Sequence, residues 1–134
     1  MRTLHLMLNV KNLEAAKIFY QNLLGQEATK VKNDYIQWKI DSPNVNLSIK
    51  SDPNIDYGVN HLGIETDSES DLLELYANAQ RANAELEEEG HTTCCYSKSQ
   101  KSWVKDENDI EWELFTSYEE SATYYQSEQE PISS

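Results

Sequence analysis

Residues 3–25, TLHLMLNVKNLEAAKIFYQNLLG, contain the strand and helix from which we predict the fold. Along residues 3–10, Leu4, Leu6, Leu8 and Val10 alternate with His5, Met7 and Asn9, which indicates a half-buried strand. Asn12 is a typical helix N-cap, and Gly25 is a typical C-terminal stop. The apolar face of the predicted helix consists of Leu13, Ala16, Phe19, Tyr20, Leu23 and Leu24.

The same strand–helix pattern begins again at His61. Three short strands, at about 27–32, 35–40 and 45–50, complete the first copy, with a turn at 41–44. In the second copy, strand 61–66 precedes a helix that Ser68 or Ser70 caps and Gly90 ends, and strands near 91–96, 101–105 and 110–115 follow. The predicted apolar face of this helix consists of Leu72, Leu75, Tyr76, Ala79 and Leu86.

Equal spacings show that the two copies are a repeat. The matched pairs are His5 with His61, Tyr20 with Tyr76, Trp38 with Trp103, and Ser48 with Glu113. Each histidine precedes its tyrosine by 15 residues, and the second copy is longer by 9 residues between helix and tryptophan. We predict an α+β fold in which two βαβββ modules, 2–50 and 60–116, form a curved, cup-like mixed sheet with the helices outside. This single domain, 1–116, precedes an acidic polar tail, 117–134, for which we expect disorder.

Composition excludes several classes of partner. The chain has 134 residues, enough for one domain, with 24 acidic and 11 basic side chains and a net charge of −13. Nucleic acid and anionic membranes are therefore poor partners, because the charges would repel. No apolar run approaches the roughly 18 residues that a membrane span requires. The alternating N-terminus does not resemble a signal peptide, so we expect a cytoplasmic protein with reduced cysteines.

Three polar side chains on predicted strands have the chemistry of metal ligands. His5, His61 and Glu113 each lie opposite the apolar face of their strand, so we expect all three on the concave face. Two imidazoles and one carboxylate bind Fe(II), or another divalent metal, and leave coordination positions open. Ser48, at the position equivalent to Glu113, is a weak ligand and leaves room for dioxygen and substrate. The alternatives are a solvated Glu113, like its neighbour Glu111, and histidines that are ordinary polar strand residues.

Other polar groups carry less information. His91 follows Gly90 and has no counterpart in the repeat, so we interpret it as structural or solvent-facing. By default Lys98, Lys101 and Lys105 are solvated, although their charge near the cysteines could favour thiolates.

Cys94 and Cys95 form an adjacent thiol pair. Adjacent side chains on a regular strand point to opposite faces, so a joint role requires an irregular backbone. Two thiolates suit a soft acceptor such as trivalent arsenic, and a monosubstituted arsenous acid has two exchangeable hydroxyls. The alternative is a pair of small buried hydrophobic side chains.

The run 92–99, TTCCYSKS, followed by KSWV at 101–104, carries a resemblance to a known family. With the βαβββ repeat, it resembles the vicinal oxygen chelate (glyoxalase/bleomycin-resistance) superfamily, and within it the carbon–arsenic lyases and related cadmium-induced proteins. The resemblance covers about residues 2–116. Only Glu111 and Leu114 differ from the usual neighbours of the carboxylate.

The resemblance implies a non-haem Fe(II) enzyme that uses dioxygen as co-substrate. Such an enzyme cleaves the carbon–arsenic bond of trivalent organoarsenicals such as methylarsenite, releases arsenite and confers resistance. His5, His61 and Glu113 would hold the iron, and Cys94 and Cys95 would hold the arsenic.

Three other functions remain open at this point. They are an arsenic- or cadmium-binding protein without turnover, a glutathione-dependent lyase or isomerase of the same superfamily, and an antibiotic-sequestering dimer. The glutathione-dependent enzymes usually need a fourth ligand, which Ser48 argues against. A homodimer, with or without swapped modules, is also left open.

Overall fold

Strands and helices follow one another in the predicted order. The computed structural model describes residues 1–82, 85–94, 97–120 and 125–127. The elements are β1 (Thr3–Asn9), α1 (Leu13–Leu24), β2 (Lys30–Val31), β3 (Tyr35–Asp41), β4 (Asn44–Lys50), β5 (Gly58–Glu65), α2 (Glu69–Arg81), β6 (Glu87–Cys94), β7 (Ser97–Lys105), β8 (Glu111–Glu120) and β9 (Tyr125–Ser127). The α+β class and the repeated βαβββ order are therefore confirmed.

The chain divides into two compact units. The first unit is Thr3–Leu62, and the second consists of Met1–Arg2 with the chain from Gly63 onward. The division falls within β5. Neither described helix is long and apolar enough to cross a lipid bilayer.

In the first unit, the strand order is β2-β3-β4-β1. β1 runs parallel to β4, with His5 beside Asn46, and the other neighbours are antiparallel. One face of these strands carries the hydrophobic core, which consists of Ile36, Trp38, Ile40, Leu47 and Ile49. Four residues of α1 pack against this core: Leu13, Ala16, Tyr20 and Leu24.

Helix α1 begins and ends where the sequence predicts. The side chain of Asn12 accepts a hydrogen bond from the Ala15 amide, and Gly25 has a left-handed φ of 66°. Phe19 and Leu23 were predicted on the apolar face, but they are 57% and 66% exposed. They lie on the flank of the helix, because residues 13, 16, 20 and 24 already form the row that meets the strands.

The opposite face of the first unit is polar but buried. His5, Asn9, Gln37, Asn46 and Ser48 are all at least nine-tenths buried. Within this group, Nε2 of Gln37 donates to Oδ1 of Asn46 at 2.9 Å, and the Ser48 hydroxyl lies 2.6 Å from the Tyr35 hydroxyl. Polar side chains withdrawn from water need such partners, so this face is an organised polar layer.

In the second unit, β8, β7, β6 and β9 follow one another in the sheet, all antiparallel. α2 covers one face of these strands through a core of Leu72, Leu75, Tyr76, Ala79 and Leu114. Of the two serines proposed as the helix cap, Ser68 is the one whose side chain accepts from the Asp71 amide.

The predicted end of α2 at Gly90 is wrong. The helix ends at Arg81, and Gly90 lies in β6 with a φ of 65°, where the pairing with β7 shifts after Glu88. One common type of β-bulge contains a residue in the left-handed conformation, which glycine adopts without steric cost. The glycine therefore marks an irregular strand, and Leu86 packs on the core from outside the helix.

The two tryptophans matched in the repeat lie on different faces. Trp38 pairs with Leu47 on the core face, whereas Trp103 pairs with Glu113. The turn between β3 and β4 is the two-residue Ser42-Pro43, but residues 106–110 separate β7 from β8. The longer turn shifts the β7–β8 pairing by one residue relative to the β3–β4 pairing. A shift of one residue moves a strand side chain to the other face of the sheet, which explains the different placement of Trp103.

Strand structure extends beyond the predicted domain end at 116. β8 continues to Glu120 and pairs with β7 as far as Ser97, and β9 pairs with β6 between Thr92 and Cys94. These parts of the predicted tail are strand, because neighbouring strands supply backbone partners that composition does not reveal.

Candidate metal centre

His5 lies in the buried polar layer of the first unit. Its Nδ1 is 3.2 Å from the backbone carbonyl oxygen of Asn46 on β4, and its side chain is only 4% exposed. A carbonyl oxygen can only accept, so Nδ1 carries the proton, and in the neutral ring Nε2 has the lone pair. The parallel pairing of β1 with β4 therefore orients the ring as metal-binding histidines are usually oriented.

His61 on β5 is held by a chain of three amide contacts. Nδ1 of His61 lies 2.7 Å from Oδ1 of Asn60, whose amide nitrogen donates to Oδ1 of Asn9. The amide nitrogen of Asn9 donates to the carbonyl oxygen of Asp56. Because that carbonyl can only accept, it fixes the direction of each bond in the chain. Nδ1 of His61 is therefore the donor, and its Nε2 has the lone pair.

The two imidazoles direct their lone pairs at each other. Nε2 of His5 lies 3.3 Å from Nε2 of His61, and the ring centroids are 5.2 Å apart. When both rings are neutral, with their protons on Nδ1, this contact is not a hydrogen bond, and the two lone pairs repel unless a cation lies near them. Two metal–nitrogen bonds of about 2.1 Å, at an angle of about 100°, would span this distance. The pair therefore fits a divalent metal ion.

Glu113 lies on β8 in the second unit and is buried together with a lysine. Nζ of Lys101 on β7 is 2.8 Å from Oε2 of Glu113, and both residues are 4% exposed. Lys101 also lies over the ring of Phe115, with Nζ 5.8 Å from the ring centroid. Burial and the ammonium exclude the alternative of a solvated Glu113, whereas Glu111 is exposed as expected.

The default prediction of three solvated lysines is wrong for Lys101. It holds for Lys105, which is half-exposed and lies 4.0 Å from Glu111 at the surface, while Lys98 is half-buried. Lys101 lies on the same face of the hairpin as Glu113 and Phe115, and a buried carboxylate there offsets the cost of withdrawing its charge from water.

The cysteine pair lies partly beyond the described residues. Cys94 is the last residue of β6, opposite Ser97 on β7, and Cys95 falls outside the described ranges. The joint role of the two thiols therefore stays a prediction. His91 is exposed and packs edge-on against Tyr118, with 5.7 Å between ring centroids, as expected for a solvent-facing residue.

Three residues that contact the proposed metal ligands, or hold them through another side chain, were not predicted in those roles from the sequence: Asn9, Asn60 and Lys101. Asn9 shares a strand face with His5, and Asn60 adjoins His61, so position alone offered a weak signal for both. Lys101 had no such signal, because its partner Glu113 lies on another strand.

Comparison with known proteins identifies the family. The model of the Glyoxalase/Bleomycin resistance protein/Dioxygenase superfamily matches residues 2–114. A trivalent organoarsenical cleaving enzyme of Bacillus sp. (strain MD1) is 35% identical, with 92% of this chain and 80% of that protein covered. The cadmium-induced protein CadI of Mycobacterium bovis is 34% identical, over 92% of this chain and 82% of that protein.

A solved structure agrees on the fold. The Mn(II)-bound glyoxalase from Novosphingobium aromaticivorans superimposes with a TM-score of 0.64 at 16% identity, covering 94% of this chain and 42% of that one. The predicted glyoxalase-like fold is thus confirmed. The chain belongs to the Glyoxalase/Bleomycin resistance protein/Dioxygenase superfamily and, within it, to the group that contains the trivalent organoarsenical cleaving enzymes and the cadmium-induced proteins.

Proposed function

We propose that the protein is a non-haem Fe(II), dioxygen-dependent carbon–arsenic lyase. It cleaves the carbon–arsenic bond of trivalent organoarsenicals such as methylarsenite and releases arsenite. The observation that carries the metal part of the proposal is the contact between Nε2 of His5 and Nε2 of His61, with both protons held on Nδ1. The name of the Bacillus relative supports the substrate class.

His5, His61 and Glu113 are the proposed metal ligands. Two neutral imidazoles and one carboxylate suit Fe(II) and leave open positions, unlike a closed structural zinc site. The Tyr35 contact holds the hydroxyl of Ser48, which further supports three protein ligands instead of four. When bound, the iron together with dioxygen would supply the oxidation that breaks the carbon–arsenic bond.

The substrate is proposed to bind through Cys94 and Cys95. Two As–S bonds would replace the two hydroxyls of a monosubstituted arsenous acid and fix the direction of the organic group. Holding the reacting bond in one orientation supplies much of the rate enhancement in such reactions. Because this role needs reduced thiols, we propose that the protein works in the cytoplasm.

A turnover assay tests the proposal. Protein reconstituted anaerobically with one equivalent of Fe(II) is given excess methylarsenite, with and without air, and inorganic arsenite is measured by chromatography. Arsenite beyond one equivalent per protein, only in air and only with iron, is the expected result. Air-dependent release from the metal-free protein would contradict it.

An arsenic- or cadmium-binding protein without turnover is the second candidate, because a thiol pair binds soft acceptors whether or not a reaction follows. In the same assay it would bind about one methylarsenite per cysteine pair and release no arsenite.

A further inference from the structure

The ion pair between Lys101 and Glu113 is not explained by stability alone. Nζ and Oε2 lie 2.8 Å apart, and the two side chains are 4% and 6% exposed. Withdrawing an ammonium and a carboxylate from water costs about as much as their attraction returns, and apolar residues often replace such pairs without loss. A buried pair of this kind therefore suggests a role at a site.

The ammonium of Lys101 contacts one oxygen of the Glu113 carboxylate, and its place on β7 explains how it reaches that group. Lys101 is directly opposite Phe115 in the β7–β8 pairing, so it reaches Glu113 diagonally along the same face. Its ammonium lies within cation–π distance of the Phe115 ring and bonds Oε2. The ion pair with Glu113 and the contact with the Phe115 ring together restrict where the ammonium can lie, and so restrict the orientation of the carboxylate.

We propose that Lys101 is a positioning residue that keeps Oε2 of Glu113 engaged, so that the carboxylate gives the metal ion one oxygen instead of two. This inference rests on the proposed metal site. A one-oxygen carboxylate leaves a coordination position that a two-oxygen carboxylate would fill, and the proposed reaction needs open positions for its substrates. Lys101 thus maintains the open site without touching the metal.

A surface pair on the same two strands provides a matched control. Lys105 lies 4.0 Å from Glu111, and both side chains are about half exposed. Lys101→Met and Lys105→Met remove the same charge from the same strand, but only the first removes a contact to Glu113. Any effect of net charge alone is therefore common to both variants.

The first test uses Co(II) as its probe, with no substrate present. Each protein is titrated anaerobically, giving the Kd and the visible d–d spectrum, whose intensity falls as coordination number rises. We expect weaker d–d bands and a Kd lower by more than about two-fold in Lys101→Met, because the released Oε2 can form a second metal–oxygen bond and a positive charge near the metal is removed. Lys105→Met should stay within about two-fold of wild type, because exposed pairs contribute little.

Lys101→Met could unfold, since it leaves a buried carboxylate, so far-UV circular dichroism accompanies each titration. A second measurement does not depend on the folding of Lys101→Met: the side-chain ammonium NMR signal of Lys101 in wild-type protein is recorded before and after Zn(II) is added. Assignment comes from its absence in Lys101→Arg. Persistence of a slowly exchanging signal after Zn(II) addition supports the inference, and its loss overturns it.

Failure of this inference can be distinguished from failure of the metal site. If wild type binds one Co(II) and folded Lys101→Met shows the same Kd and spectrum, only the role of Lys101 is overturned. If wild type binds no Co(II), or if His61→Ala binds Co(II) as tightly as wild type does, both proposals are overturned.

Discussion

Nε2 of His5 and Nε2 of His61 lie 3.3 Å apart although 56 residues separate them in the chain. Nδ1 of each ring makes a hydrogen bond, in His5 to the backbone carbonyl oxygen of Asn46 and in His61 to the side chain of Asn60. The arrangement brings two lone pairs close together, which is costly without a cation and favourable with one. The contact is therefore the strongest structural support for a metal in this protein.

Removing His61 should abolish tight metal binding. His61→Ala deletes one of two facing donors, so we expect the Fe(II) or Co(II) affinity to fall by more than the roughly 10- to 100-fold typical for an outer partner. Isothermal titration of the metal-free protein measures this. His91→Ala is the control, because His91 is exposed and packs only edge-on against Tyr118 among the contacts described for it. Equal affinity in the two variants would remove His61 from the ligand set.

Replacing either cysteine should separate substrate binding from metal binding. Cys94→Ser and Cys95→Ser each leave one thiol and so lose one of the two proposed As–S bonds. We expect both variants to bind one equivalent of metal as wild type does, with methylarsenite no longer retained on gel filtration. Retention of methylarsenite by both variants would refute the thiol role.

Leu72 should be far more important for stability than its neighbour Leu73. Leu72 is 0% exposed in the core of the second unit, whereas Leu73 is 54% exposed on the same helix. Leu72→Ala should lower the free energy of unfolding by about 2–5 kcal/mol, because it removes buried methyl groups and leaves a cavity. Leu73→Ala should change it by about 0.5 kcal/mol or less. Urea denaturation compares them, and equal losses would contradict the assigned core.

Tyr76 should make the protein sensitive to alkali. Burial raises the pKa of the Tyr76 phenol, Glu88 adds to the shift, and Ser102 opposes it. Neither the Tyr76 nor the Ser102 hydroxyl has a well-formed hydrogen bond among the described residues, so burial dominates. Above the ordinary pKa of about 10, the unfolded chain ionises first. The contribution of Tyr76 ionisation to the free energy of unfolding is thus fully present below about pH 10, and it is lost as the pH rises through the pKa of Tyr76 in the folded protein.

Tyr76→Phe should weaken that pH dependence. The free energy of unfolding, measured in urea at pH 8 and at pH 10.5, should fall less between the two values in Tyr76→Phe than in wild type. At pH 8 the variant should be as stable as wild type or slightly more stable, since the buried hydroxyl that it loses has no hydrogen-bond partner in the described part of the chain. An unchanged difference between the two pH values would show that Tyr76 does not ionise differently on folding.

Local patterns in the sequence determined the order and class of the elements. Alternation from Thr3 to Asn9, the caps at Asn12 and Ser68, and the stop at Gly25 all depend on residues close in the chain. Such features are governed by backbone geometry and local hydrogen bonds, so they can be predicted without knowledge of the packing. The placement of His5 and His61 on equivalent strands was predictable for the same reason.

Only the tertiary structure decided which polar groups are buried and with whom. Gly90 supplies a bulge because β7 lies beside it, and the register of the β7–β8 hairpin places Trp103 opposite Glu113. Lys101 is buried because Glu113 on the neighbouring strand offsets the desolvation of its charge, and Asn9 reaches Asn60 across 51 residues. The energy of a polar side chain depends on neighbours brought together by folding, and a linear pattern does not contain that information.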